Sequence, residues 1–140
     1  MKYLLPMMFA ALLLCGCAVD VAKVTTDTDA EIKKFHARFD GEQFNDVWQD
    51  AHPLFQNTMK EDDFVKTLAA MREKLGKVAS SSTTGLRLES FNGINVAKVG
   101  RHTTFENGQR VEVFSFSIDE VPPSLMSYGI SIELPPEMKR

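Results

Sequence analysis

Hydropathy changes period near Gly76, and that change limits the folds open to this chain. Before Gly76, apolar residues recur at helical spacing. After it, two Asn-Gly pairs, Asn92-Gly93 and Asn107-Gly108, divide extended runs. An Asn-Gly pair between strands is the signal of a two-residue hairpin, because both central residues of a type I′ turn need positive φ. Helices followed by a run of antiparallel strands make an α+β domain. The 140 residues suffice for one such core and not for two.

The helical half begins with Thr28-Asp29-Ala30-Glu31, which has capping-box spacing. Ile32, Phe35 and Phe39 follow as an apolar stripe, stopped by Asp40-Gly41. A short second helix is predicted from Glu42, with Phe44, Val47, Trp48 and Ala51 on one side, ending before Pro53. A third starts near Lys60-Glu61 and carries Phe64, Leu68, Met71 and Leu75. Gly76 is available for a left-handed C-cap. Strands are predicted over 77–91, 94–106, 109–119 and 125–134. In the third, the apolar side switches between Val113 and Phe114, which suggests a bulge or burial on both faces. In the fourth, Met126, Tyr128, Ile130, Ile132 and Leu134 share a face. The expected architecture is three N-terminal helices on a curved four-stranded antiparallel sheet.

The first seventeen residues read as an address. Met1-Lys2 is a short positive start, and 3–14 is an uncharged, mostly apolar run. That run has the length of a signal-peptide core and falls short of the roughly 20 residues a spanning helix needs. Leu14-Cys15-Gly16-Cys17 resembles the bacterial lipobox, with Cys17 at the acceptor position. The resemblance implies cleavage after Gly16, diacylglycerol on the Cys17 sulfur and acylation of the new amino terminus. It also implies a periplasmic domain. Ala18, in place of the aspartate associated with inner-membrane retention, favours the outer membrane. The alternative is an ordinary secretory signal with two incidental cysteines. The division expected is a signal peptide over 1–16, a lipidated tether over 17–27 with no helical pattern, and a domain over 28–140. Processing removes Cys15 and leaves Cys17 capped, so no thiol remains for catalysis or metal binding. It also removes Lys2 and takes the formal net charge from −3 to −4, which argues against a nucleic-acid partner.

The layout resembles the nuclear transport factor 2-like superfamily, the cystatin-like α+β cone, and within it a group of small bacterial envelope proteins. The resemblance rests on Phe35 and Phe39 before Asp40-Gly41, Phe44 and Trp48, and Phe64 with Leu75-Gly76. Phe105, Glu112-Val113-Phe114 and Leu125-Met126-Ser127-Tyr128 complete it. Ser127 stands where relatives usually carry Gly. The fold hosts isomerases and dehydratases as well as non-catalytic binders, so it does not settle function.

Proton-transfer chemistry would need an enclosed carboxylate or imidazole. Glu112 is the foremost candidate, on a strand face with Arg110, Phe114 and Phe116, assisted by Tyr128 or His102. The plainer reading of Glu112 is a cross-strand ion pair with Arg101 or Lys98. His36 is placed off the apolar stripe, at a flank or the surface. His52 is read as meeting the free carbonyls of a helix end, His102 as surface, Asp40 as a turn residue, and Asp46 has no special reading. Trp48, Phe114, Phe116 and Tyr128 are possible pocket residues, although a domain this small needs most aromatics in its core. No metal spacing, nucleophile elbow or phosphate loop is present in the sequence. The favoured reading is a non-enzymatic, cofactor-free module binding an envelope protein or a small apolar ligand. An isomerase- or dehydratase-like enzyme and a structural component dimerising through its sheet are the alternatives.

Overall fold

The computed structural model describes residues 18–132; Cys15, Cys17 and Leu134 lie outside them. The elements run α1 (Val21–Asp40), α2 (Phe44–Gln49), α3 (Pro53–Thr58), α4 (Glu61–Leu75), β1 (Val78–Phe91), β2 (Ile94–Phe105), β3 (Gly108–Ser117) and β4 (Ser124–Ser131). The strands form one antiparallel sheet in the order β1-β2-β3-β4. This is the α+β meander expected, with four helices rather than three.

Helix α1 starts seven residues before the expected capping box, so 21–27 is not a tether. Asp20 is the N-cap, its carboxylate accepting from Lys23 N at 3.2 Å. Val24 and Thr28 are buried, and the Thr28 hydroxyl donates to Val24 O. Thr28 therefore sits inside the helix, not at its start. The pattern is hard to see because polar threonines occupy the turn, but Val24 and Thr28 extend the Ile32 row by steps of four.

Pro53 does not merely end a helix. It is the first residue of α3, where its fixed φ suits the helix and its missing N–H costs nothing. His52 is the cap of that start: its Nδ1 accepts from Leu54 N at 3.2 Å, and its own N–H donates to Leu125 O at 2.8 Å. The expectation that His52 meets helix-end carbonyls is reversed.

Helix α1 ends at Asp40-Gly41 as expected, but Asp40 does more than turn the chain, since its Oδ1 accepts from Val78 N at 2.9 Å. Gly76 caps α4 with φ 76° and ψ −162°. That is not the left-handed helical region but a conformation open essentially to glycine alone. A Cβ there would also collide with Glu106 Oε2 and lie 2.7 Å from Glu106 Cβ. Gly76→Ala is expected to cost about 2 kcal/mol or more in chemical denaturation; an unchanged midpoint would show that the turn relaxes.

The two hairpins differ. Asn92 and Gly93 both have positive φ, as a type I′ turn requires. In the second, Phe105 pairs with Gly108, so Glu106 and Asn107 form the tip, and of the Asn-Gly pair only Gly108 has positive φ. Burial on both faces explains the pattern switch in β3, where Val111, Glu112, Phe114, Ser115, Phe116 and Ser117 are all buried. The register shift lies between Ser115 and Phe116, which pair with Ser127 and Leu125. Met126 is the extra residue, so Leu125 rather than Met126 enters the core. Strand β4 stops at Ser131, and Ile132 is exposed.

The helices cover one face of the sheet. Ile32, Phe35 and Phe39 of α1, Phe44 and Val47 of α2, Phe55 of α3, and Phe64, Leu68 and Leu75 of α4 join Val99, Phe105, Phe114, Phe116 and Leu125 in one core. Phe114 packs edge-on against Phe35 and stacks on Phe116. No helix among the described residues is long and apolar enough to cross a membrane.

Candidate functional site

Side chains alternate across a strand, so β3 sends Glu112, Phe114 and Phe116 toward the helices. Glu112 is fully buried there, at 0 % exposure. Its Oε1 accepts from the Tyr128 hydroxyl at 2.7 Å. Its Oε2 lies 2.7 Å from His36 Nε2 and accepts from the Thr103 hydroxyl. Each group comes from a different element: α1, β2, β3 and β4. Neither expected ion pair of Glu112 forms. Lys98 reaches Glu89 at 3.3 Å on the other side of the sheet. Arg101, although directly opposite Glu112 in register, turns to Asp29 at 2.7 Å and to Thr83 Oγ1 at 2.7 Å.

His36 is buried, not at a flank or the surface. It stands four residues after Ile32 and three before Phe39, so it belongs to the stripe itself. Its imidazole lies edge-on to Phe35 and Phe114, each with ring centroids 6.0 Å away.

The network extends along the sheet. Arg101 Nε donates to Ser81 Oγ at 2.9 Å, and Ser81 Oγ meets Thr103 Oγ1 at 2.8 Å. Because the Thr103 proton goes to Glu112, Ser81 is the donor to Thr103. Arginine, serine, threonine and glutamate thus form one directed chain, its arginine end held by Asp29 and its glutamate end by His36 and Tyr128. Asp29 and His36 are two helical turns apart on α1, so a single helix face clamps both ends. Lys33 and Arg101, both bonded to Asp29, hold its carboxyl below the usual range. Burial, and then the Glu112 charge beside it, push the Tyr128 phenol well above its ordinary value.

The other sequence candidates are not gathered here. His102 is exposed and beside Ser82 and Gln109 in a small surface hollow. Phe114 and Phe116 are core residues, and Trp48 packs against the core with Nε1 donating to Met59 O at 3.0 Å. Of the four expected pocket residues, only Tyr128 reaches a large cavity.

That cavity is a groove of about 460 Å³ lined by Glu89, Phe91, Val96, Lys98, Val113, Ser115, Met126, Ser127, Tyr128 and Gly129. Val113 and Ser115 alternate with Glu112, Phe114 and Phe116, so the groove lies on the sheet face away from the helices. Its walls are mainly apolar, with the Lys98–Glu89 pair on one side. Neither Glu112 nor His36 lines it; Tyr128 belongs to both groove and network. Among the described residues, no three His, Cys, Asp or Glu side chains converge as metal ligands.

No curated protein matches the chain. The family described as "Protein of unknown function (DUF4019)" matches residues 32–120, which run from the middle of α1 through β3 and include His36, Arg101 and Glu112. That match takes in most of the chain, and the protein belongs to this family.

Proposed function

We propose that this protein is a lipid-anchored envelope protein, held to a membrane through acylated Cys17, whose non-enzymatic domain binds a small, largely apolar ligand in the groove on the open sheet face. The groove carries this reading. Its volume of about 460 Å³ falls within the ~300–1,000 Å³ common for small-molecule sites. Val96, Val113, Phe91 and Met126 offer apolar surface, while Ser115, Ser127 and the Lys98–Glu89 pair offer polar contacts that could orient a ligand. Helices laid over one face of a four-stranded meander support reading the domain as a nuclear transport factor 2-like cone. The space such a cone would enclose holds Phe35, Phe39, Phe114 and Phe116.

The proximity of Glu112 to an imidazole and a phenol favours a second reading, proton transfer of the isomerase or dehydratase kind. Both carboxylate oxygens are already engaged by protein groups, so a substrate would have to displace His36, Thr103 or Tyr128 first. Binding in the groove needs no such displacement.

Gly129 supplies the test. A Cβ there meets nothing within 4 Å, so a side chain can start from this position on the groove face without a clash at its base. The uncharged dye N-phenyl-1-naphthylamine is expected to bind the parent and to lose about tenfold or more in affinity with Gly129→Phe, at unchanged Tm. Equal binding would remove the groove reading. A dimer in sedimentation that Gly129→Phe dissociates would assign the groove to a second copy instead. Mass spectrometry of the amino terminus tests the anchor separately, an unmodified Cys17 being the result that rejects it.

A further inference from the structure

We infer that the end of the molecule where α1 begins is a membrane seat, an apolar rim that rests on the bilayer surface. The inference builds on the proposed acylation of Cys17. Helix α1 begins at Val21 and is capped by Asp20. Four residues of fully extended chain span at most about 14 Å, so Val21, the first residue of α1, stays within that distance of the anchored residue. The domain therefore stands against the bilayer rather than swinging on a ten-residue tether.

The surface this brings to the lipid is apolar in an unusual way. Val19 is 47 % exposed, Val21 52 % and Val121 77 %. The β3–β4 connection that carries Val121 lies beside the first turns of α1. Ile118, Glu120, Val121 and Pro123 share a hollow with Asp20, Lys23, Val24 and Asp27. Three bonds tie the same connection to the start of β2: Ile118 N donates to Asn95 O at 2.9 Å, and Asn95 donates to Asp119 from N to Oδ2 at 3.1 Å and from Nδ2 to Oδ1 at 2.7 Å. Strand β2 starts just after the Asn92-Gly93 turn, so the 55 % exposed Phe91 lies toward this end as well.

The polar groups there are largely engaged within the protein. Asp20 caps α1, Lys23 pairs with Asp27, Asp119 holds Asn95, and Glu120 accepts from Ser117 and Ser124. Acids outnumber the one lysine, so attraction to anionic headgroups does not account for the seat. What remains is the burial of apolar side chains at the interface, added to the acyl anchor.

The processed chain has no other free thiol once Cys17 is acylated, so Val121→Cys can be labelled alone. The full acylated protein, labelled there with an environment-sensitive fluorophore, is reconstituted in phosphatidylcholine vesicles. Gln109→Cys, exposed near the opposite hairpin, carries the same label as the reference. The seat predicts that the residue 121 label shifts to the blue and is quenched severalfold more by lipid-borne nitroxide than the residue 109 label. It also predicts protection from aqueous iodide. If Cys17 is acylated and both labels are equally open to iodide, the seat is wrong and the lipoprotein reading survives. If Cys17 is found unmodified by mass spectrometry, both fall.

Discussion

Glu112→Ala is expected to lower stability by about 4 kcal/mol, the scale of leaving several buried polar groups without their shared partner. The loss follows from what stays behind. The Tyr128 hydroxyl, the Thr103 hydroxyl and His36 Nε2 all lose their acceptor within the protein interior. A buried polar group without a partner costs about 1–3 kcal/mol. Converting the cluster together, as Glu112→Leu with His36→Leu, Tyr128→Phe and Thr103→Val, is expected to recover most of the loss, because apolar groups of similar volume leave little unpaired. Chemical denaturation of the two variants decides the matter. A Glu112→Ala protein within about 1 kcal/mol of the parent would mean that water or a side-chain shift satisfies the abandoned donors.

Alkaline titration gives the second large effect. Tyr3 leaves with the proposed leader, so Tyr128 is the one tyrosine of the processed chain. Burial and the neighbouring Glu112 charge raise its pKa well above the ordinary 10.0. The folded protein therefore keeps the phenol proton while the unfolded chain releases it. The stabilising contribution is intact below pH 10 and declines as pH rises from there toward the folded-state pKa. Phenolate absorbance is expected to stay absent past pH 10 and to appear with unfolding. Tyr128→Phe is expected to lack this part of the alkaline slope. A normal titration near 10 in the folded protein would contradict the placement of the phenol against Glu112.

Much of the architecture was legible because it rests on local signals. Asn92-Gly93 marked its turn since few other pairs adopt two positive φ values in succession. Phe64, Leu68 and Leu75 marked α4 because only a helix gathers them on one side. Glu112 stood out as a carboxylate among phenylalanines, and its inward position follows from strand alternation. Other readings failed where a residue's role depends on what packs against it. His36 reads as lying off the stripe of Ile32, Phe35 and Phe39, although its spacing from Ile32 and Phe39 is that of the buried row. The first turns of α1 were missed because Thr25, Thr26 and Thr28 return their hydroxyls to carbonyls four residues back, a use that composition does not show.

Except for α3, which it left unmarked, the amino-acid pattern alone carries the order of helices and strands, the hairpin at Asn92-Gly93, and the face of β3 that Glu112 shares with Phe114 and Phe116. These follow from backbone preference and periodicity, which act over a few residues. Packing between distant elements sets that Glu112 meets His36, that Arg101 turns to Asp29, and that the large cavity opens opposite the aromatic core. Those pairings join residues as much as 76 positions apart. Which side chain satisfies a buried charge depends on the angle at which α1 crosses the sheet, and no local pattern encodes that angle.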